Sequence, residues 1–228
     1  SFYEVNEIKT FKELIDNSER LYSDRPAYKL RNKDGVYYDV SYKQLRHDVY
    51  YLGNSIIKDG YSRSHIAVVG VNSYKWAVTY LAVTCSNNII VPMDKELTAD
   101  NMVDILNDSD SCAIFGDKKF IKELYERKDK LSEGFKFYCF DEIDIDGVIS
   151  FDEYFEEGRA LYKTGVKSLN DITLDPDAMV SLLFTSGTTG VSKGVCLHLL
   201  LPRRGLVAAD VGVEEVVGDG DQVIARRL

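Results

Sequence analysis

Apolar positions along the first 60 residues recur at two spacings, and each spacing predicts a different element. Residues 8–22 are predicted to form an amphipathic helix, because their apolar side chains recur at helical intervals. Two short β-prone runs flank the sequence Asn-Lys-Asp-Gly at 32–35, which predicts a hairpin. A second helix is predicted from Ser41, which can cap it, to Gly60. The sequence therefore predicts a helix, hairpin and helix over residues 1–60, packed on the core.

From residue 65 onward, apolar runs alternate with helical spacing. Residues 66–71 are apolar throughout, which is typical of a strand covered on both faces. Further strands are predicted at residues 89–92, 112–115, 135–140 and 180–184. The helices between them are predicted to begin at Ser73 (or Asn72), at Thr98 and at residue 118, the last continuing to residue 131. This alternation predicts an α/β fold, a doubly wound and mostly parallel sheet with flanking helices.

The densest polar chemistry follows the last predicted strand. Residues 184–194 read Phe-Thr-Ser-Gly-Thr-Thr-Gly-Val-Ser-Lys-Gly. Glycines let backbone N–H groups approach an anion, hydroxyls donate to phosphate oxygens, and a lysine adds a compact positive charge. Ligands bind beyond the carboxyl ends of strands in such sheets, which is where this stretch would lie. The candidate phosphate-binding residues are Thr185, Ser186, Gly187, Thr188, Thr189, Gly190 and Lys193.

Two common nucleotide-binding signatures do not explain this stretch. A Walker loop needs G-x-x-x-x-G-K-[ST], whereas Lys193 here is followed by Gly194, and G-x-G-x-x-G does not occur. The simpler alternative is a flexible Ser/Thr/Gly linker. Linkers seldom follow a buried apolar run or carry a single lysine between spaced glycines. We therefore interpret the stretch as a phosphate-binding loop that ends an α/β subdomain at residues 61–197.

Composition and charge argue against several classes of protein. A net charge of −9 over 228 residues is unfavourable for a nucleic-acid surface, which needs a clustered basic face. Apolar stretches are too short to span a bilayer and no signal peptide opens the chain, so we expect no integral membrane segment. Isolated thiols are typical of a reducing cytosol, and we expect a cytoplasmic protein whose oligomeric state the sequence leaves open. The four cysteines, which lack metal-like spacing, are Cys85, Cys112, Cys139 and Cys196.

An acidic stretch from Glu142 to Glu153 resembles a calcium loop in its spacing. Its first acidic residue is Glu rather than Asp, and the preceding residues look like a strand, not an entering helix. A solvated acidic loop is the default interpretation, and we assign no metal ligand. His47 and His65 have no partner that the sequence identifies, so we interpret both as structural.

The last residues of the chain differ in composition from the rest. Residues 198–228 contain no Lys, Asn, Ser, Thr, Tyr or Phe, although all 15 tyrosines lie earlier in the chain. One hypothesis is a different coding origin, such as a frameshifted or vector-derived end. The other is a genuine final segment with its own composition. We treat residues 198–228 as an atypical tail, because the sequence does not separate these two hypotheses.

The stretch at 185–194 resembles the signature T-S-G-[ST]-T-G-x-P-K-G of the adenylate-forming superfamily, with Ser192 in place of the proline. This superfamily includes acyl-CoA synthetases, peptide-synthetase adenylation domains and luciferases. Two upstream stretches are also similar to family elements: Val-Ser-Tyr-Lys-Gln-Leu at 40–45 and Val-Pro-Met-Asp at 91–94. Three ordered motifs over about 155 residues are far more specific than one. The chain is most similar to the N-terminal part of bacterial long-chain fatty acid–CoA ligases.

The resemblance implies a two-step reaction with ATP, Mg²⁺ and CoA. A carboxylate and ATP give an acyl-adenylate and pyrophosphate, and the CoA thiol then displaces AMP. In the family the hydroxyl-rich loop holds the β- and γ-phosphates. The resemblance implies the same role for the candidate residues at 185–193. The small-molecule partners implied are a fatty acid, ATP and CoA.

Other parts of the family pattern are not recognisable. Family members are more than twice as long and carry an adenine-binding motif, a ribose-binding aspartate and a C-terminal lysine. The usual T-H-x-N is also broken, since His198 is followed by two leucines. We therefore expect an inactive N-terminal fragment and assign no catalytic residue within it. An adenylation domain that loads a carrier protein and a non-catalytic nucleotide-binding module remain the alternatives.

Overall fold

The computed structural model describes residues 8–186, 192–198, 213–219 and 222–226. Helices in these ranges are α1 (Phe11–Tyr22), α2 (Tyr42–Lys58), α3 (Tyr74–Cys85), α4 (Ala99–Asp108), α5 (Lys118–Tyr125) and α6 (Phe151–Lys163). The first strands are β1 (Pro26–Arg31), β2 (Tyr37–Ser41), β3 (His65–Val69), β4 (Ile89–Met93), β5 (Ser111–Gly116) and β6 (Lys136–Cys139). They are followed by β7 (Val148–Ser150), β8 (Met179–Ser186), β9 (Ser192–His198), β10 (Val213–Asp219) and β11 (Gln222–Arg226).

The main sheet is parallel over six strands and antiparallel over three. Its order is β11-β10-β9-β8-β4-β3-β5-β6-β7. The pairs from β8 across to β7 are parallel, whereas β8–β9, β9–β10 and β10–β11 are antiparallel. The chain runs outward from β3 to β4 and then crosses to β5 on the other side of β3, which confirms the predicted doubly wound sheet.

Two layers of side chains bury the two faces of this sheet. Alternate residues of β3 illustrate the division: Ile66 and Val68 belong to one apolar cluster, and Ala67 and Val69 to the other. The first cluster is completed by α1, α2, α3 and α6, and the second by α4 and α5. Side chains that alternate in this way bury a strand on both faces, as the continuous apolar run predicts.

The predicted N-terminal elements are present in the structure. β1 and β2 pair in an antiparallel hairpin, and Ser41 caps α2, its Oγ accepting a hydrogen bond from the Gln44 N–H at 3.1 Å. α2 packs against α6 at Gly158, where an added Cβ would lie 1.9 Å from the Tyr51 carbonyl oxygen. This glycine is therefore required for the close approach of the two helices.

The sequence prediction differs from the structure after β5. The predicted helix at 118–131 ends at Tyr125 and is followed by a 3₁₀ turn at Lys128–Lys130. Between Leu124 and Leu131 the side chains are all polar or aromatic, so a continued helix would have little apolar surface to bury. The elements predicted from the sequence do not include β7, α6 or the strands that follow β8.

Candidate functional site

The predicted phosphate-binding stretch includes the end of β8 and the start of β9, which pair as an antiparallel hairpin. β8 and β9 pair from Met179 opposite His198 to Ser186 opposite Ser192. Thr185 lies opposite Lys193 in this ladder. Residues 187–191 connect the two strands and lie outside the described residues.

The candidate residues divide between the strands and the connection. Thr185, Ser186 and Lys193 lie in β8 and β9, so the strands extend further into the motif than the predicted loop at 184–194 implies. Gly194 lies within β9, opposite Phe184 on one side and Val216 on the other. The other four candidates lie outside the described residues: Gly187, Thr188, Thr189 and Gly190. Because directly opposite residues are neighbours in an antiparallel ladder, the fold brings both ends of the motif together.

The hairpin projects past the carboxyl edge of the parallel sheet. β8 joins β4 in parallel where Ser181 lies opposite Ile90. β4 ends three residues after Ile90, at Met93, whereas β8 continues for five residues after Ser181. At about 3.3 Å per residue, the end of β8 extends about 7 Å beyond the end of β4. The structure thus places two of the resembling motifs, at 91–94 and 185–194, on neighbouring strands.

The crevice between β3 and β5 is the usual ligand position in a doubly wound sheet. Here the Asp117 carboxylate closes it by accepting a hydrogen bond from the Val71 N–H at 2.8 Å. Gly70 has φ +154°, and a Cβ there would lie 2.8 Å from this carboxylate. Burial, together with the nearby Asp141 carboxylate, raises the pKa of Asp117. A polyphosphate would meet negative charge in this crevice, which makes the hairpin the more favourable position for an anion.

The acidic stretch after β6 does not form a calcium loop of the expected shape. Glu153 lies in the first turn of α6, where its N–H donates to the Ser150 Oγ that caps the helix. Tyr125 donates from its hydroxyl to the carbonyl oxygen of Asp146 at 2.5 Å. In the described ranges, no group of three His, Cys, Asp or Glu side chains is placed to hold a metal ion.

The two histidines lie away from the hairpin end. The ring of His47 stacks on Tyr51 with centroids 5.9 Å apart, and burial lowers the pKa of His47. The Nδ1 of His65 contacts the carbonyl oxygen of Ser109 at the opposite, amino-terminal edge of the sheet. Neither ring contacts the β8–β9 hairpin in these interactions.

Ser181 is a residue of this region to which the sequence analysis assigns no role. It lies where β8 joins the parallel sheet, and it is fully buried. A lone hydroxyl in the apolar run at 179–184 is the sequence signal that could have identified it. Such a position in a buried strand usually carries an apolar side chain, so its hydroxyl needs an explanation.

Across the described part of the chain, no helix has both the length and the apolar character needed to cross a bilayer. The longest helix among the described residues, α2 with 17 residues, is amphipathic, and it contains the buried carboxylate of Asp48.

Comparison with known proteins identifies similar chains. The family model described as AMP-binding enzyme matches residues 15–218. The long-chain-fatty-acid–CoA ligase 1 of Cavia porcellus is 24% identical over 216 residues, which cover 86% of this chain and 29% of that protein. The 4-hydroxybutyrate–CoA ligase 2 of Metallosphaera sedula is 26% identical over 187 residues, covering 78% of this chain and 33% of that protein. The chain thus spans about a third of the length of these relatives.

Solved structures share the fold. The crystal structure of the anthranilate CoA ligase AuaEII in complex with anthranoyl-AMP superposes with a TM-score of 0.68 at 16% identity. The superposition covers 83% of this chain and 34% of that chain. The six-stranded parallel sheet and its flanking helices therefore match the N-terminal region of adenylate-forming enzymes.

Proposed function

Because the chain belongs to the AMP-binding enzyme family, we propose that it forms the phosphate-binding part of an ATP-dependent, AMP-forming acyl-CoA ligase. The observation that carries this proposal is the register of the β8–β9 hairpin. It sets Thr185 opposite Lys193 at the carboxyl edge of the sheet, with the remaining hydroxyls and glycines of the motif between them in sequence. β8 extends beyond the end of β4, and Thr185 and Ser186 lie in this extension.

The donor set of the motif fits a polyphosphate. Serine and threonine hydroxyls and glycine N–H groups donate hydrogen bonds without adding negative charge, and Lys193 adds one positive charge. We propose that the β- and γ-phosphates bind at Thr185, Ser186, Gly187, Thr188, Thr189, Gly190 and Lys193. The Asp117 carboxylate at the neighbouring crevice disfavours the same anion there.

In the proposed reaction these residues bind and orient the leaving group. When a carboxylate attacks the α-phosphorus of ATP, the bond to the pyrophosphate oxygen breaks and negative charge grows on the pyrophosphate. Donors fixed in advance around that charge stabilise the transition state more than the ground state. Mg²⁺ carried with the nucleotide would neutralise further phosphate charge. The later transfer of the acyl group to the CoA thiol lies outside the part that this hairpin performs.

For the acid substrate we propose a long-chain fatty acid. Support comes from the similarity to the long-chain-fatty-acid–CoA ligase 1 of Cavia porcellus. The competing substrate is 4-hydroxybutyrate, because the 4-hydroxybutyrate–CoA ligase 2 of Metallosphaera sedula is similar in the same range of identity. In the longer protein to which we assign this chain, palmitate should give a higher kcat/KM for pyrophosphate release than 4-hydroxybutyrate. A preference for the short acid would contradict the long-chain assignment.

The phosphate-binding role is tested by titration calorimetry of the 228-residue chain with ATP and Mg²⁺. We expect Lys193→Ala to weaken binding roughly tenfold to a hundredfold, because a hydrogen bond from a charged group is lost. The matched control is Lys136→Ala, an exposed lysine at the amino-terminal end of β6, which should bind as the wild type does. Absence of binding by the wild type, or unchanged binding by Lys193→Ala, would contradict the proposal.

A second measurement separates binding from turnover. A coupled assay of pyrophosphate release with fatty acid, ATP and CoA should detect no multiple turnover by the 228-residue chain. The physical reason is that the adenine- and ribose-binding motifs, which the family resemblance leads us to expect, are not recognisable in the 228-residue sequence. Sustained turnover by this chain alone would show that its residues complete an active site.

A further inference from the structure

Asp48 of α2 is a buried carboxylate that has no ion-pair partner among the described residues. Its exposed fraction is 8%, and this burial raises its pKa. Its Oδ1 and Oδ2 atoms accept hydrogen bonds from the Gln44 side-chain amide and the Tyr74 hydroxyl, both at 2.7 Å, and both donors are uncharged. The charges of His47 and Arg159 act on Asp48 only from beyond ion-pair distance. Buried carboxylates are rarely left without a cation, so this one needs an explanation.

Asp48 lies in the wall of a cleft between α2, α3 and α6, whose volume is about 210 Å³. Most of the wall is aromatic or aliphatic, and these side chains are Tyr74, Val78, Phe151 and Phe155. The rings of Phe151 and Phe155 stack with centroids 6.0 Å apart at 21°. Pockets for drug-sized ligands measure roughly 300–1,000 Å³, so this cleft fits a smaller molecule with an apolar body.

Lys75 is the cation among the residues that line the cleft, and its charge is already neutralised. Its Nζ forms an ion pair with the Asp152 Oδ1 at 2.7 Å and donates to the Phe140 carbonyl oxygen at 2.6 Å. The same Nζ lies 5.2 Å from the centroid of the Phe151 ring, so the aromatic wall already holds one ammonium group. Asp48 therefore remains the uncompensated charge of the cleft.

The first residues of α3 and α6 also line the cleft, and the positive ends of these helices would favour an anion. Both ends are capped, because the Ser73 Oγ and the Ser150 Oγ accept hydrogen bonds from first-turn N–H groups at 3.2 and 3.4 Å. Asp152 and Glu153 in the first turn of α6 offset its positive end further. A helix end carries about half a charge, whereas Asp48 carries a full one, so the cleft favours a cation.

We propose that this cleft binds a small primary ammonium ion with an apolar body. Its N–H groups would donate to the Asp48 carboxylate, and its body would pack against Phe151 and Phe155. A carboxylate has about four acceptor positions, of which the two neutral donors occupy two. Charge-assisted hydrogen bonds and attraction to aromatic rings both favour the ammonium over an alcohol of the same shape. The inference does not depend on the proposed function.

Titration calorimetry of the wild-type 228-residue chain at pH 7 with three probes of similar shape tests this selectivity. We expect 2-phenylethylammonium to bind roughly tenfold more tightly than 2-phenylethanol, because only the ammonium pairs with the buried charge. The anion 3-phenylpropanoate should bind more weakly than either. Equal binding of the alcohol would show that the cleft selects apolar shape alone, and preferred binding of the anion would show that Lys75 and the helix ends dominate. Either result, or no binding of the ammonium ion, would overturn the inference.

Asp48→Asn tests the charge itself. This variant should weaken binding of 2-phenylethylammonium at least roughly tenfold and leave the affinity for 2-phenylethanol unchanged, which also reports that the cleft is intact. The matched control is Asp104→Asn, which removes one exposed carboxylate from α4 on the other face of the sheet and should bind both probes as the wild type does. Unchanged ammonium binding by Asp48→Asn, or equal losses in the two variants, would contradict the proposal. If Asp48→Asn does not fold, the wild-type preference among the three probes still decides.

Backbone amide NMR shifts locate the bound ion. Saturating 2-phenylethylammonium should shift the amides in the first turns of α3 and α6 and around Asp48, and leave those of β9 unchanged. Added ATP–Mg²⁺ should not displace it. Shifts confined to other surfaces of the chain would overturn the assignment of the site. Failure of the wild-type chain to bind ATP would contradict the proposed function and leave this result unaffected.

Discussion

β3 and β8 belong to the same sheet but are held in it very differently. β3 pairs with β4 over five residues and with β5 on its other side, and Ile66 to Val69 are all fully buried. β8 pairs with β4 at the single position of Ser181 and Ile90, and its other ladder is with β9. The strand at the centre is fixed by burial on both faces and by ladders on both sides, whereas the strand that carries the candidate chemistry shares one ladder position with the parallel core and continues past it.

This difference separates stability from binding. Apolar burial is the dominant favourable contribution to folding, and β3 contributes side chains to both apolar clusters. The residues proposed to hold phosphate contribute little to that burial, because the hydroxyls and glycines of the motif have little apolar surface. Substitutions in the core should therefore change the free energy of unfolding, and substitutions near β8 should change ligand affinity.

The largest expected effect comes from Gly158→Ala, at the contact of α2 and α6. The added methyl group would lie 1.9 Å from the Tyr51 carbonyl oxygen, so the helices must separate. We expect the free energy of unfolding to fall by about 3 kcal/mol, measured by urea denaturation. Below the melting temperature of the variant, its affinity for ATP–Mg²⁺ should equal that of the wild type.

Gly53→Ala is the matched control for this substitution, since it places a methyl group in α2 against a flexible side chain. Its Cβ would lie 3.0 Å from a terminal carbon of Leu169, which can move. We expect a change below about 1 kcal/mol, because the gain in helix propensity offsets the tighter packing. Equal losses in the two variants would show that the backbone contact at Gly158 is not what limits the packing.

An intermediate effect is expected at the closed crevice between β3 and β5. Gly70→Ala combines a φ of +154° with a Cβ 2.8 Å from the Asp117 carboxylate, and we expect a loss of about 2 kcal/mol in the same denaturation measurement. Gly60→Ala separates the two causes, since φ is +82° there and nothing lies within 4 Å of the added Cβ. If Gly70→Ala also abolished ATP binding, the crevice rather than the hairpin would be the nucleotide site.

The smallest expected effect is a pH dependence of stability due to His47, which lies on α2 and not on the β8–β9 hairpin. Burial, assisted by the positive charges of Arg46 and Lys43, lowers the pKa of His47, against the weaker influence of Asp48 and Glu19. The folded state then binds fewer protons than the unfolded state, so stability is present above the ordinary pKa of about 6.5 and is lost as the pH falls below it.

His47→Gln should therefore reduce the fall in melting temperature between pH 7 and pH 5. This change should be smaller than the loss of melting temperature caused by Gly158→Ala or by Gly70→Ala. The affinity of the hairpin for ATP–Mg²⁺ at pH 7 should not change. A steeper fall in the variant would mean that protonated His47 is stabilised in the folded state, contrary to the direction of the pKa shift.

Local patterns predicted the elements whose signals lie within a few residues. The cap at Ser41 and the buried run of β3 are examples, since a cap depends on the next helical turn and a buried strand on consecutive apolar residues. The sequence signal for α6 is weaker, because its capping residue Ser150 and its first turn overlap the acidic stretch whose spacing resembles a calcium loop. The strand character of Lys193 was also not predicted, since its ladder partners lie on β8 and not in its own segment.

The sequence by itself determined the alternation of strands and helices, the family resemblance and the chemical character of the phosphate-binding motif. These depend on residue type and spacing, which are visible along the chain. Only the tertiary structure decided that Asp117 closes the crevice at β3 and that β8 meets the parallel sheet at Ser181. These two contacts join residues 46 and 91 positions apart in sequence, and no local pattern encodes which distant residues the sheet brings together.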